Sequence, residues 1–206
     1  MLTLVGILNV RMTQNMRLLL LACIPFLFAI QQVAEGLIWL TASRDNLEQY
    51  AHVVDAAKYW FLTIALCVWP IWIPLSILVL ERAFWRKAAL SMILMVGVIF
   101  SLAMLNLLYF AWGSSDITVE LSERNIHYDY PLPYEWITGS IYLLATLVPP
   151  FLSSFPHMWI LGCANLFGFI AALAYFEASF TSVWCFFAAW ASLGIYFLLA
   201  SKPLKE

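Results

Sequence analysis

Six long, almost uncharged stretches divide this chain, and each has the length that a hydrocarbon layer demands of a helix. They run over Leu18–Leu40, Tyr59–Leu80, Ala88–Trp112, Trp136–Phe155, Met158–Phe176 and Phe180–Ala200. A helix rises about 1.5 Å per residue, so about 20 apolar residues cross a core roughly 30 Å thick. Only Gln31, Gln32, Glu35, Asn106 and Asn165 stand out within them as strongly polar. Of the 206 residues, 64% are hydrophobic and 11% charged, whereas soluble domains carry about 45–50% apolar and about 25% charged residues. A soluble fold of this size has too little interior to hide so much apolar surface. The bilayer is therefore part of the solvent, and lipid is the first partner implied.

The segment Leu2–Val10 is apolar but too short to cross alone. It reads as a membrane-dipping stub or as the tail of an incomplete first helix. A secretory signal is disfavoured, because Arg11 and Arg17 follow the apolar run and no small-residue cleavage pattern comes after it. The chain is thus read as all-α: a polytopic transmembrane helical bundle, one domain over residues 1–206, with six full spans and a short or incomplete first helix.

Lys and Arg placement orients it. Arg11, Arg17, Arg82, Arg86, Lys87, Lys202 and Lys205 fall on one side; Arg44, Lys58 and Arg124 fall on the other. The richer side, which holds the C-terminus, is expected to be cytoplasmic. Two loops then face outward, 41–58 and 113–135. In the first, Leu47, Tyr50, Ala51 and Val54 recur at helical spacing, which predicts an amphipathic helix lying on or leading into the next span. In the second, Ile117, Val119 and Leu121 alternate with polar residues, as do Ile126, Tyr128 and Tyr130. Ser122–Asn125 is turn-prone, so a small extracytoplasmic β-hairpin is expected there. Trp39, Trp60, Trp112, Trp136 and Trp184 fall near the outer boundary, as an interfacial aromatic belt requires. Pro70, Pro74, Pro149 and Pro150 are expected to kink their helices. Ala164, Gly168 and Ala172 form a small-residue stripe suited to close helix packing.

Glu35 is the most informative residue. An ionised carboxylate in hydrocarbon costs several kcal/mol, so an intramembrane acid faces the bundle interior and needs a partner or a proton. Gln31 and Gln32, four and three residues earlier, share its helix face. Asn106 occupies the outer third of its own span, and Glu177 stands at the turn into Phe180. All belong to one leaflet, beneath the hairpin that carries His127. These residues predict an outward-facing ligand pocket floored by Gln31, Gln32, Glu35 and Asn106, with Glu177 and His127 at its rim. The competing explanation is that they only hydrogen-bond neighbouring helices and fix their register.

Other chemistry is poorly supported. The net charge of −2 gives no reason to expect nucleic acid. Cys23, Cys67, Cys163 and Cys185 lie in apolar runs without a C-x-x-C pair, and free buried thiols are expected. His52, His127 and His157 fall in three separate places, so neither a bis-histidine haem nor an intramembrane zinc site is indicated. No P-loop, G-x-S-x-G or H-E-x-x-H occurs, and no cofactor can be named.

The run Ile24-Pro25-Phe26-Leu27-Phe28-Ala29-Ile30-Gln31-Gln32-Val33-Ala34-Glu35-Gly36-Leu37-Ile38-Trp39 resembles a signature of an uncharacterised family of small bacterial multi-pass membrane proteins, with I-Q-Q-x-x-E-G at its core. The resemblance covers about a tenth of the chain. It implies a bacterial inner membrane, about seven helices and a first helix completed by a longer N-terminal segment; it supplies no reaction. Three readings stand open. One is a protein that binds, senses or transports a small molecule or ion through the pocket around Glu35. Another is a structural or partner-binding membrane subunit. The third is an intramembrane enzyme using Glu35 or Glu177 as acid and base.

Overall fold

The computed structural model describes residues 1–13, 15–42, 47–111, 117–121 and 125–200. The first helix is the short α1 (Leu2–Met12). A single 3-10 turn and the brief α2 (Leu19–Ala22) lead into α3 (Ile24–Ala42). The next long rod starts with α4 (Leu47–Thr63), widens into a π-turn at Ile64–Val68 and ends as α5 (Trp69–Leu78). After it come α6 (Phe84–Ala111), the strands β1 (Thr118–Leu121) and β2 (Ile126–Asp129), and α7 (Glu135–Leu147) with its short continuation α8 (Pro149–Leu152). Finally α9 (Met158–Tyr175) turns through Glu177–Ser179 into α10 (Phe180–Ser192) and α11 (Gly194–Ala200).

The architecture is all-α with one small hairpin. Among the described residues, five helical runs are long and apolar enough to cross a membrane: Met16–Thr41, Tyr50–Leu78, Phe84–Phe110, Met158–Tyr175 and Glu177–Ala200. The sixth predicted span is interrupted. Pro149 and Pro150 divide it into α7 and α8, because neither can donate a backbone N–H to the preceding turn. The predicted amphipathic helix within 41–58 is the lead-in of α4, continuous with the span that follows.

Proline chemistry also shapes the rod formed by α4 and α5. In the π-turn, the N–H that would answer the Ala65 carbonyl belongs to residue 70, which is a proline. Tyr142 of α7 supplies the missing donor, its hydroxyl reaching Ala65 O at 2.8 Å. On the other side, α6 lies close to α5 at Gly97, where an added Cβ would collide with the Pro70 carbonyl oxygen. Gly168 plays the same part for α9, with the Phe187 Cβ of α10 in the space that a side chain would need. Of the small-residue stripe, Ala172 is buried with Gly168, whereas Ala164 is exposed.

The hairpin pairs Thr118 with Asp129 and Leu121 with Ile126, antiparallel, as its alternation predicts. Ile117, Ile126 and Tyr128 are buried against the helices, and the Tyr128 ring stacks on Phe61 of α4 with centroids 4.6 Å apart. Lys58 of α4 anchors the start of the hairpin, Nζ donating to Ile117 O at 2.7 Å while pairing with Asp55 at 2.8 Å.

Two surface expectations need correction. Trp184 is no belt residue: it is buried among Tyr142, Phe169 and Phe180, with its indole N–H on Asn165. Cys163 is exposed on α9, because the apolar face there turns outward, and Cys23 is half-buried. Trp112 lies outside the described residues, as do Ser122, Glu123 and Arg124, where a turn is expected from the sequence.

Candidate functional site

The site grows from one helix. Along α3, Ile24, Phe28, Gln31, Ala34 and Ile38 recur at helical spacing and are buried in the bundle. The neighbouring stripe, Gln32, Glu35, Gly36 and Trp39, follows the i, i+3, i+4, i+7 pattern and faces a cavity of about 520 Å³. The opposite wall comes from α10, with Ser182, Val183, Phe186 and Phe187; Phe176 and the hairpin residues Asn125 and Ile126 close the end.

Within this wall Glu35 is 6% exposed. Ser182 and Gln32 flank its carboxyl. Even so, Glu35 Oε1 and Gln32 Nε2 are both buried without a hydrogen-bond partner. The Tyr128 hydroxyl of the hairpin is a third such atom. Burial first, then the nearness of Glu35 and Cys185, pushes that phenol well above the usual tyrosine range. An acceptor, an amide donor and a hydroxyl thus meet at the hairpin end of the bundle with their hydrogen bonds unmade, which each ordinarily costs about 1–3 kcal/mol.

Gln31 differs from its neighbour. It is completely buried, its Oε1 accepting from Trp69 Nε1 at 2.8 Å and its Nε2 donating to Cys185 Sγ at 3.2 Å. The Trp69 ring also stacks on Phe28 at 4.1 Å. This amide joins α3, α5 and α10, and both of its ends are in use.

The other predicted site residues are placed as follows. Asn106 is exposed on α6 and does not line the cavity. In this part of α6 the buried apolar positions are Phe100, Met104 and Leu108, so a residue two places from Met104 points to the far side of the helix. Glu177 and His127 come together in a separate groove of about 360 Å³ between the hairpin and the Glu177–Ser179 turn. There His127 Nδ1 hydrogen-bonds the Ala178 carbonyl oxygen. Asn125 and Phe176 line both this groove and the Glu35 cavity, so the two adjoin.

Ser182, Asn125 and the aromatic walls Trp39, Phe176, Phe186 and Phe187 escape sequence reasoning as site residues. A lone serine in an apolar helix carries no signal, and the aromatic residues look like any lipid-facing set. A second missed group is Glu81, at the opposite end of the bundle and 1% exposed. Its Oε1 accepts from the backbone N–H of Arg82 (2.9 Å) and Ala83 (3.0 Å) and from Ser154 Oγ (2.6 Å), and its Oε2 from Ser154 N–H (2.8 Å). Burial alone pushes this carboxyl up; the hydrogen bonds from Ser154, Ala83 and Arg82 outweigh it and hold the group down at about 2. With four hydrogen bonds on its two oxygens, Glu81 is a structural clamp.

Residues 1–206 match the family of unknown function DUF6629, and the chain belongs to it. No curated protein and no solved structure matches the chain.

Proposed function

We propose that this DUF6629 member is a multi-pass membrane protein that binds a small amine-bearing ligand in the cavity around Glu35. One observation carries the reading: Glu35 Oε1 and Gln32 Nε2, unpartnered and buried, stand on the wall of a cavity of about 520 Å³. That volume falls among those of small-molecule sites, about 300–1,000 Å³. An ammonium group satisfies the carboxylate acceptor, and a neighbouring ligand oxygen satisfies the Gln32 amide. Trp39, Phe176, Phe186 and Phe187 line the same space, and aromatic faces attract a desolvated cation. With the Lys- and Arg-rich end in the cytoplasm, the hairpin and the cavity lie toward the outer face of a bacterial inner membrane.

Gln31 belongs to the competing account. Its amide is used up between Trp69 and Cys185, and it serves to fix helix register.

Ethanolamine, an amine with one adjacent oxygen, is the simplest probe. Calorimetric titration of the detergent-solubilised protein should show saturable binding. Glu35→Gln should weaken it about tenfold or more, the loss of one charge-assisted hydrogen bond. Equal binding by parent and variant, or none by either, overturns the reading.

A further inference from the structure

We infer that the ligand of this cavity is a membrane amphiphile, a long-chain amine whose head sits on Glu35 and whose tail lies in a lateral groove between α3, α10 and the start of α1. The inference rests on the binding role proposed for Glu35 and adds the class of ligand and its origin in the bilayer.

A second cavity of about 200 Å³ adjoins the first. Gln32 and Phe186 line both, so the two spaces meet along the seam of α3 and α10. Beyond that junction the lining side chains are those of Ala189, Trp190, Leu193, Met1 and Leu2, all apolar, and the α-amino group of Met1 is the titratable group at that end. The combined groove extends along α10 from Ser182 to Leu193, about 16 Å at 1.5 Å per residue. Its polarity is one-sided. Glu35, Ser182 and Asn125 are at the hairpin end, Gln32 stands at the junction, and the side chains beyond it are apolar.

That gradient follows the bilayer, polar toward one face and hydrocarbon toward the middle. A ligand arriving from water has no use for the apolar extension, whereas a lipid-like amine fills both parts at once. The seam is also open to the side: Trp190 is 53% exposed, and Phe186 and Trp39 are exposed with it. A transmembrane helix is a poor occupant, because close helix packing calls for a stripe of small residues, and Phe186, Trp190 and Leu193 dominate this wall.

The test places the protein in lipid nanodiscs with a long-chain primary amine that carries a diazirine midway along its tail. After photolysis, adducts are mapped by peptide mass spectrometry. Labelling should concentrate on Leu2, Trp190 and Leu193 over Met92 and Ile99, which are exposed on α6. The matching carboxylic acid probe should not concentrate there. Glu35→Gln should reduce amine labelling at Trp190 and Leu193 by about tenfold, with its thermal midpoint reporting that the fold persists. If that variant does not fold, the amine-against-acid comparison in the parent decides alone. Even labelling of α6 and α10, or equal concentration of the acid probe, overturns the inference. Ethanolamine binding that depends on Glu35, together with even labelling, would retain the pocket and remove the amphiphile; failure of both would remove the pocket as well.

Discussion

At the scale of single residues, two buried carboxylates show how differently one chemical group is used. Glu81 has four hydrogen bonds, with a partner on each oxygen; Glu35 keeps an oxygen without a partner. The Glu81 carboxyl is held at about 2, below its ordinary 4.5, so the folded state favours the ionised form. Its contribution to stability is therefore complete above about pH 4.5 and is lost as the pH falls from there through about 2. Glu81→Gln should lower stability at neutral pH by about 2 kcal/mol. It should also flatten the acid limb of a plot of thermal midpoint against pH, and an unchanged acid limb would show that the clamp does not contribute.

Among the secondary-structure elements, glycine positions separate contact from mere composition. Gly97→Ala forces a methyl group against the Pro70 carbonyl and should cost about 1–3 kcal/mol as α5 and α6 part. Gly139, on α7, has nothing near its missing side chain. Gly139→Ala should be neutral or stabilising by up to about 1 kcal/mol through helix propensity. Thermal unfolding of the two variants side by side checks the contrast. Most elements were legible in the chain, because spans and hairpin follow from the periods of hydrophobic residues: 3.6 in α3, 2 in β1 and β2. The break at Val148 was signalled by Pro149–Pro150, but its size depended on packing. The side to which Asn106 turns was not legible, since α6 is apolar all round and only its neighbours decide which face is covered.

At the scale of the molecule, the hairpin is held down by contacts from distant parts of the chain, among them His127 on the Ala178 carbonyl and three more. These three are Lys58 on Ile117 O, Tyr128 on Phe61, and Tyr130 OH beside Thr181 Oγ1 at 3.1 Å. Lys58→Met keeps the apolar stem of the side chain but removes the ammonium. Amides of residues 118–121 and 126–129 should then exchange faster with deuterium, while those of α6 stay unchanged. Uniform exchange in both proteins would show that the ammonium has no part in holding the hairpin. In the candidate site, the sequence drew attention to Glu35 and Gln32 because polar groups are costly in hydrocarbon. It could not disclose Ser182 or Asn125, which reach the cavity only through the crossing of α10 and the seating of the hairpin.

The Glu81 clamp has a mechanical consequence. It rivets the link between α5 and α6 to the link between α8 and α9, so those four helices cannot separate at that end without breaking ionic hydrogen bonds. Any separation of these four helices must pivot there and open at the far end. With α6 at 28 residues, or about 42 Å, a tilt of about 3° displaces its distal tip by about 2 Å. A lever of that length turns a small rotation at a fixed fulcrum into a shift longer than a carbon–carbon bond at the far end.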